Sequence, residues 1–351
     1  MHVHFMSDLS KGHGERPMSW RNPKINFPHT YWNDYGIKNH HFNPGMLWHL
    51  YRSKPDYLLV SSPFDTFTGI CASLFLKKGK RCAWTEGNVK TTGKMNGFVG
   101  WFKRLVFSQY EYIAVPGQQG KKYIELHQQH TRRKMPQCVF LPNLVDERRF
   151  MPREEWPATD IAPVRRSLEV NDSQKLCLLP IRLEWYKGGL AFLKALPPKN
   201  ALKGWRIVIM GEGSEKTEML KEIADRDLED IVSILNFVPY DKMPLYYAAA
   251  DLFILPSFQD RNPLSVIEAL HSGLPVAVSD RAGNVDEAVT PRKNGWVLPV
   301  SEYDCYAQIL AEIFNTPIDT LKDMGHSSKQ NNALFWDSER SVSVFCDSIL
   351  N

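Results

Sequence analysis

The stretch PSFQDRNPLSVIEALHSGLPVAVSDRAGNVDEAV, residues 256–289, decides the fold. It follows the apolar run DLFILPS at 251–257, which reads as a buried strand, and Pro263 stands near the first turn of a helix carrying Leu264, Ile267, Ala269 and Leu270. Asp260 then lies in the loop after the strand and Glu268 about two turns into the helix, so both carboxylates can face one crevice. A second short strand, LPVAVSD at 274–280, runs into Arg281-Ala282-Gly283-Asn284, where Gly283 is free to take a left-handed conformation as the chain turns into the next helix. Strand ends and a helix N-terminus meet here, and their backbone N–H groups suit the phosphates of a nucleotide.

The pattern P-S-x-x-[ED]-x-x-x-x-L-x-x-x-E-A-x-x-x-G-x-P-V in this stretch resembles the donor-sugar motif of glycosyltransferase family 4, retaining enzymes of the GT-B fold. In that family both acidic positions are usually Glu. Here the first is Asp260, one methylene shorter, and Arg261-Asn262-Pro263 replace the usual Gly-Phe-Gly. The fold this implies is α/β: two Rossmann-like domains with parallel sheets facing across a cleft.

Size and composition fit that expectation. The chain has 351 residues, 43% hydrophobic and 23% charged, enough for two domains with a core each. No apolar run approaches the roughly 20 residues that span a bilayer. The N-terminus lacks the basic and apolar regions of a signal peptide, so a cytoplasmic protein is expected. Six scattered cysteines, Cys71, Cys82, Cys138, Cys177, Cys305 and Cys346, form no C-x-x-C pair and read as reduced, mostly buried thiols. Charge divides unevenly: residues 1–150 carry 22 Lys+Arg against 10 Asp+Glu, and residues 151–351 carry 21 against 29, within a net charge of +4. The basic half is expected to face something anionic, such as a phospholipid surface, a polyprenyl-phosphate acceptor or an acidic polysaccharide. Nucleic acid is not expected, because no nucleic-acid-binding motif accompanies the charge.

Val3 to Asp8 reads as a strand, followed by a polar loop in which Gly12-His13-Gly14 is either a flexible link or a phosphate loop using Gly12 and Gly14. If HVHFMSD corresponds to the family's second strand, the first strand–helix unit is missing. Residues 20–43 show no period and read as loop. Helix and strand then alternate, with strands at 57–62 and 81–84, as a parallel sheet covered on both faces requires. Glu86, in the strand-end loop Thr85-Glu86-Gly87-Asn88, either contacts the acceptor or acts as its base, or else caps the next helix. The segment 90–110 mixes Lys90, Lys94, Lys103 and Arg104 with Met95, Phe98, Trp101, Phe102 and Phe107; such a helix lies in a membrane interface or packs on its own sheet.

Pro142-Asn143-x-Val145-Asp146-x-x-x-Phe150 resembles the family's P-N-G-V-D-x-x-x-F signature, which closes the N-terminal domain. The organisation expected is therefore an acceptor-binding domain at 1–150, a Pro-, Glu- and Ser-rich linker at 151–174, and a donor-binding domain at 175–335. A last helix within 336–351 packs back on the first domain. KLCLLPIRLEWYKGG at 175–189 resembles the family's G-R-L-x-x-x-K-G. Two cations beside a helix N-terminus meet the need of a departing diphosphate for neutralisation. The resemblance assigns Arg182, Lys187 and Gly188, with Asn262, Pro263, Leu264 and Ser265, to the donor's diphosphate side. It gives Asp260 the donor-sugar hydroxyls, Glu268 the ribose, and Phe237 and Val238 the nucleobase. Asp225-Arg226-Asp227 spells a D-x-D but reads as solvated helix surface, and no metal or other cofactor is expected.

These readings imply a retaining transferase that moves a sugar from a nucleotide-diphosphate sugar to a glycan or lipid-linked acceptor; a cytoplasmic protein is expected, either free or in peripheral contact with the inner face of the membrane through its basic half. A GT-B nucleotide-sugar epimerase or a non-catalytic GT-B subunit are the alternatives.

Overall fold

The computed structural model describes residues 2–6, 27–36, 41–61, 63–75, 80–90 and 97–350, and the chain divides into two compact units. The first takes its residues from 1–116, 120–141 and 345–351, and the second comprises 117–119 and 142–344. The glycine loop with Gly12 and Gly14 lies outside the described residues, as does Lys94.

In the first unit, β1 (Val3–Phe5) pairs in parallel with β2 (His29–Tyr31), a strand inside the aperiodic stretch that reads as loop. With three residues each, these strands are too short to leave a period in the sequence. A four-stranded parallel sheet follows in the order β3 (Tyr57–Ser61), β4 (Lys80–Trp84), β5 (Tyr112–Val115), β6 (Gln137–Phe140). Its connecting helices are α2 (Phe67–Phe75), α3 (Gly97–Phe107) and α4 (Gln118–Gln129), and α1 (Pro44–Ser53) precedes β3. Val106, Phe107, Ile113, Val115 and Tyr123 are buried in the core.

The second unit holds a six-stranded, all-parallel sheet in the order β12-β11-β10-β7-β8-β9. The strands are β7 (Lys175–Pro180), β8 (Trp205–Met210), β9 (Val232–Leu235), β10 (Leu252–Leu255), β11 (Val276–Ser279) and β12 (Gly295–Leu298). Every residue of β8, β10 and β11 is buried, which is why WRIVIM, LFIL and VAVS read as continuous apolar runs: helices cover both faces. These are α6 (Gly189–Ala195), α7 (Lys216–Asp225), α8 (Met243–Ala249), α9 (Leu264–His271), α10 (Val285–Ala288), α11 (Tyr303–Phe314) and α12 (Ile318–Ser327). The chain winds outward from β7 through β8 to β9, then returns to lay β10 on the other side of β7.

The expected linker 151–174 instead folds into the second unit. A 3-10 turn at Arg153–Glu155 and helix α5 (Ala158–Ser167) occupy it, with Ile161, Leu168 and Val170 buried. Its polar, Pro-rich composition conceals an electrostatic anchor: Asp251, at the foot of β10, accepts the Leu176 N–H at 2.7 Å and pairs with Arg153 at 2.8 Å and Arg165 at 3.1 Å. The D-x-D segment is solvated surface as expected: Asp225 ends α7 exposed, and Asp227, exposed just beyond the helix with φ 53°, pairs with Lys199 at 2.9 Å, while Arg226 between them donates to the Leu193, Leu196 and Pro197 carbonyls. The last helix, α13 (Ser338–Leu350), ends in the first unit, where Phe345, Cys346 and Ile349 pack with Cys82, Ala114 and Val139. All six cysteines are free, but only Cys82 and Cys177 are buried and Cys305 is exposed, so the thiols are less buried than expected.

Candidate functional site

The reversal of strand order between β7 and β10 is a topological switch point, the place where open parallel sheets bind their ligands. The residues expected around the donor converge there. After β7 the chain passes Arg182, makes a 3-10 turn at Trp185–Lys187, and enters α6 through Gly188 at φ +71°. A Cβ on Gly188 would stand 2.2 Å from the Pro256 carbonyl oxygen, so glycine alone lets the two switch-point loops touch. Gly211 does the same after β8, where a Cβ would lie 2.0 Å from the Ile181 oxygen. The Tyr186 carbonyl accepts the Gln259 N–H at 3.1 Å, completing the seam.

This seam brings Lys187 to Asp260: Nζ and Oδ2 are 2.5 Å apart, with both side chains mostly buried. The Asp260 carbonyl in turn accepts the Gly283 N–H at 3.0 Å. Gly283 is not among the left-handed glycines; the bridge between Asp260 and Ala282 holds this turn, so no positive φ is needed. Pro263 is the N-cap residue of α9 and supplies no side-chain cap, which leaves the N–H groups of the first turn, at Leu264 and Ser265, open to an acceptor. Around the same strand ends, Ser257 Oγ, Asn262 Nδ2 and Asn284 Oδ1 are buried without a hydrogen-bond partner. Native interiors rarely leave polar atoms so, and a cluster at a switch point suits a polar ligand.

Glu268 lies deeper and is almost fully buried. Burial raises its carboxyl from 4.5 to about 7, against the lowering effect of the Tyr247 hydroxyl, which donates to Oε2 at 2.7 Å, and of the nearby Arg149 charge. Tyr247 is itself fully buried against Phe150, ring centroids 5.6 Å apart. Arg149 stacks over Tyr240 at 4.6 Å. Neither Tyr247 nor Arg149 stands out as a site residue in the sequence, although Tyr247 lies just before the strand that leads into the 256–289 stretch and Arg149 just before Phe150. Their role depends on α8 and the 147–149 turn converging on α9, which spacing along the chain does not reveal.

Two other expected groups are more loosely connected. Phe237, 38% exposed, and half-buried Val238 follow β9, two strands from β7, where Asn236 Oδ1 accepts from Lys216 Nζ at 2.6 Å. Glu86 belongs to the first unit, half-buried after β4. Its loop is fixed by the Thr85 N–H to the Ala114 oxygen at 3.1 Å and by Gly87, whose missing Cβ makes room for the Tyr123 ring. Arg182 is exposed, and its charge helps, after the Ser214 hydrogen bonds, to lower the Glu184 carboxyl. Among the described residues no group of three His, Cys, Asp or Glu side chains is arranged to hold a metal ion.

The architecture, two units each built on a parallel sheet, is the GT-B fold. It superposes on HepE from Anabaena in complex with UDP with a TM-score of 0.68, at 18% identity, over 92% of this chain and 85% of that one. A glycosyltransferase from Rickettsia africae matches with a TM-score of 0.69, at 14% identity, over 93% and 86%. Residues 160–331 match the family model described as Glycosyl transferases group 1. Among curated relatives, the amylovoran biosynthesis glycosyltransferase AmsK of Erwinia amylovora is 30% identical over 171 residues, 46% of this chain and 42% of its own. A colanic acid biosynthesis glycosyltransferase, WcaL of Salmonella typhimurium, is 29% identical over 126 residues, 34% and 31%. The chain thus spans less than half the length of these relatives.

Proposed function

We propose that the protein is a metal-independent glycosyltransferase of the family 4 type. It moves a hexosyl group, with retention, from a nucleotide-diphosphate sugar to a glycan or lipid-linked acceptor in the synthesis of a surface polysaccharide or glycoconjugate. The observation that carries this reading is the meeting of Lys187, Asp260 and the uncapped start of α9 at the switch point of the second unit. The HepE structures solved with UDP and with UDP-glucose support a nucleotide-sugar donor, and the naming of relatives for amylovoran and colanic acid synthesis supports the polysaccharide setting.

In this reading the Lys187–Asp260 pair is the resting state of two binding groups. When the donor enters, Lys187 turns to the diphosphate with Arg182, and Asp260 is released to accept hydroxyls of the sugar. The bond from the anomeric carbon to the β-phosphate oxygen breaks, and the diphosphate leaves with its developing charge met by the two cations and the N–H groups of α9. The acceptor hydroxyl forms the new bond and gives up its proton, with Glu86 as the candidate base. Glu268 holds the ribose, and Phe237 and Val238 flank the base. The basic first unit faces the acceptor or an anionic membrane surface, where α3 exposes Phe98, Val99 and Trp101.

Proton NMR of UDP-glucose, GDP-mannose and ADP-glucose incubated separately with the protein tests the reading. Slow release of the sugar from one donor, first appearing as the donor's own anomer, is expected. Release of the opposite anomer, or epimerised donor without release, would overturn it.

A further inference from the structure

We propose a second ligand site in the same unit, for a small phosphorylated polyol of the sugar-phosphate class, in a cavity at the opposite edge of the sheet from Lys187. Asp251, just before β10, and Pro275, just before β11, both line this cavity, so it sits at the N-terminal ends of the strands whose C-terminal ends form the donor site. Its volume, ≈ 550 Å³, falls within the roughly 300–1,000 Å³ of small-molecule pockets.

The two walls differ in chemistry. One carries the basic side chains: Lys322 and His326 on α12, and Lys329 in the turn that follows, recur at spacings of four and three and so share a face. Lys329 and His326 make no hydrogen bond or ion pair among the described residues, and Lys322 reaches only Asp319, at 3.9 Å on the open surface. The other wall presents Glu154 and Glu155, exposed and likewise without partners among the described residues. The remaining acid, Asp251, is neutralised by Arg153 and Arg165. Ser272, 2% exposed, also lines the cavity, and its Oγ is buried with no hydrogen-bond partner among the described residues.

A phosphate suits the unengaged cations, and hydroxyl groups suit the carboxylates and the orphaned Ser272 hydroxyl. A bare anion would leave the carboxylate wall and Ser272 unused, and a neutral sugar would leave the lysines unused. Ser272 is the C-cap residue of α9, the helix that starts at Pro263 and carries Glu268, so one helix of eight residues joins the two sites.

Calorimetric titration of the full chain with glucose 6-phosphate tests this. Saturable binding with Kd below about 1 mM is expected. Lys187→Ala should leave that affinity unchanged, and the double variant Lys322→Glu/Lys329→Glu should weaken it at least tenfold while its melting temperature stays close to the wild-type value. Glucose and inorganic phosphate should each bind at least tenfold more weakly. No saturable binding, retained affinity in the double variant, or loss of binding in Lys187→Ala would overturn the proposal, the last by placing the probe in the donor site. Inorganic phosphate binding as tightly as glucose 6-phosphate would overturn the assignment of a polyol.

Discussion

Two glycines in the second unit share a left-handed backbone and differ in what surrounds them, which makes a controlled experiment on the switch-point seam. Gly188 has φ +71° and Gly204 φ +86°, yet a Cβ on Gly204 meets nothing within 4 Å, whereas one on Gly188 would stand 2.2 Å from the Pro256 oxygen. Alanine at either position bears the left-handed cost of roughly 1–2 kcal/mol, partly offset by about 0.4–1 kcal/mol from a stiffer unfolded chain. Gly204→Ala should therefore destabilise by no more than about 1.6 kcal/mol. In Gly188→Ala the contact must also open from 2.2 Å to at least 3.0 Å, the closest that real Cβ atoms come. The neighbour is backbone, so the strain has no flexible side chain to absorb it, and overpacking of this kind costs about 1–3 kcal/mol more. The displaced loops carry Lys187 and Asp260, so their 2.5 Å pair should open as well. Urea unfolding of both variants, with nucleotide titrations beside it, reads the two effects separately. Gly188→Ala should be the less stable by about 1–3 kcal/mol and bind nucleotide at least tenfold more weakly. Equal stability and equal affinity of the two variants would refute the account of the seam.

Burial raises Glu268 to about 7, so the folded protein holds that proton more tightly than the unfolded chain; the group's cost to stability grows as pH rises from about 4.5 to 7, reaching on the order of 3 kcal/mol above it. Glu268→Gln should thus gain stability over wild type progressively across that window in unfolding measurements, and a flat difference would contradict the assignment. His127 is fully buried in the first unit with neither ring nitrogen hydrogen-bonded, and burial, then the charges of Lys103, Arg104 and His130, lower it to about 4. Its stabilising contribution is present above pH 6.5 and lost as pH falls toward 4, so His127→Phe should resist acid unfolding better than wild type, measured by circular dichroism between pH 4 and 6.5. Asp251→Asn should cost about 3 kcal/mol in urea unfolding, because two guanidinium groups lose their shared partner.

The second unit was largely legible in the sequence because its strands are buried on both faces and its loops carry short patterns of fixed spacing. DLFILPS, Lys187-Gly188 and the helix bearing Glu268 each announce themselves locally. What escaped reading depends on contacts distant in the chain. Arg153 and Arg165 find Asp251 across more than eighty residues, and that network turns an apparent linker into α5. Tyr247 looks like one more core aromatic until α8 sets its hydroxyl on Glu268. Helix α12 is not legible in the sequence, because Ile318–Ser327 buries only Leu321, Met324 and Gly325, too thin an apolar stripe to read as a helix. The opposite error arose at Gly283, where a glycine suggested a left-handed turn and a backbone bridge to Asp260 holds an ordinary one.

The central claim is that Lys187 and its neighbours form a nucleoside-diphosphate site, and titration of UDP, GDP and ADP into wild-type protein and Lys187→Ala, with EDTA present, tests it most directly. The account predicts that one of the three binds wild type with a micromolar Kd, and that its affinity falls at least tenfold in Lys187→Ala. No binding of any nucleoside diphosphate, or equal affinity in the two proteins, would contradict it.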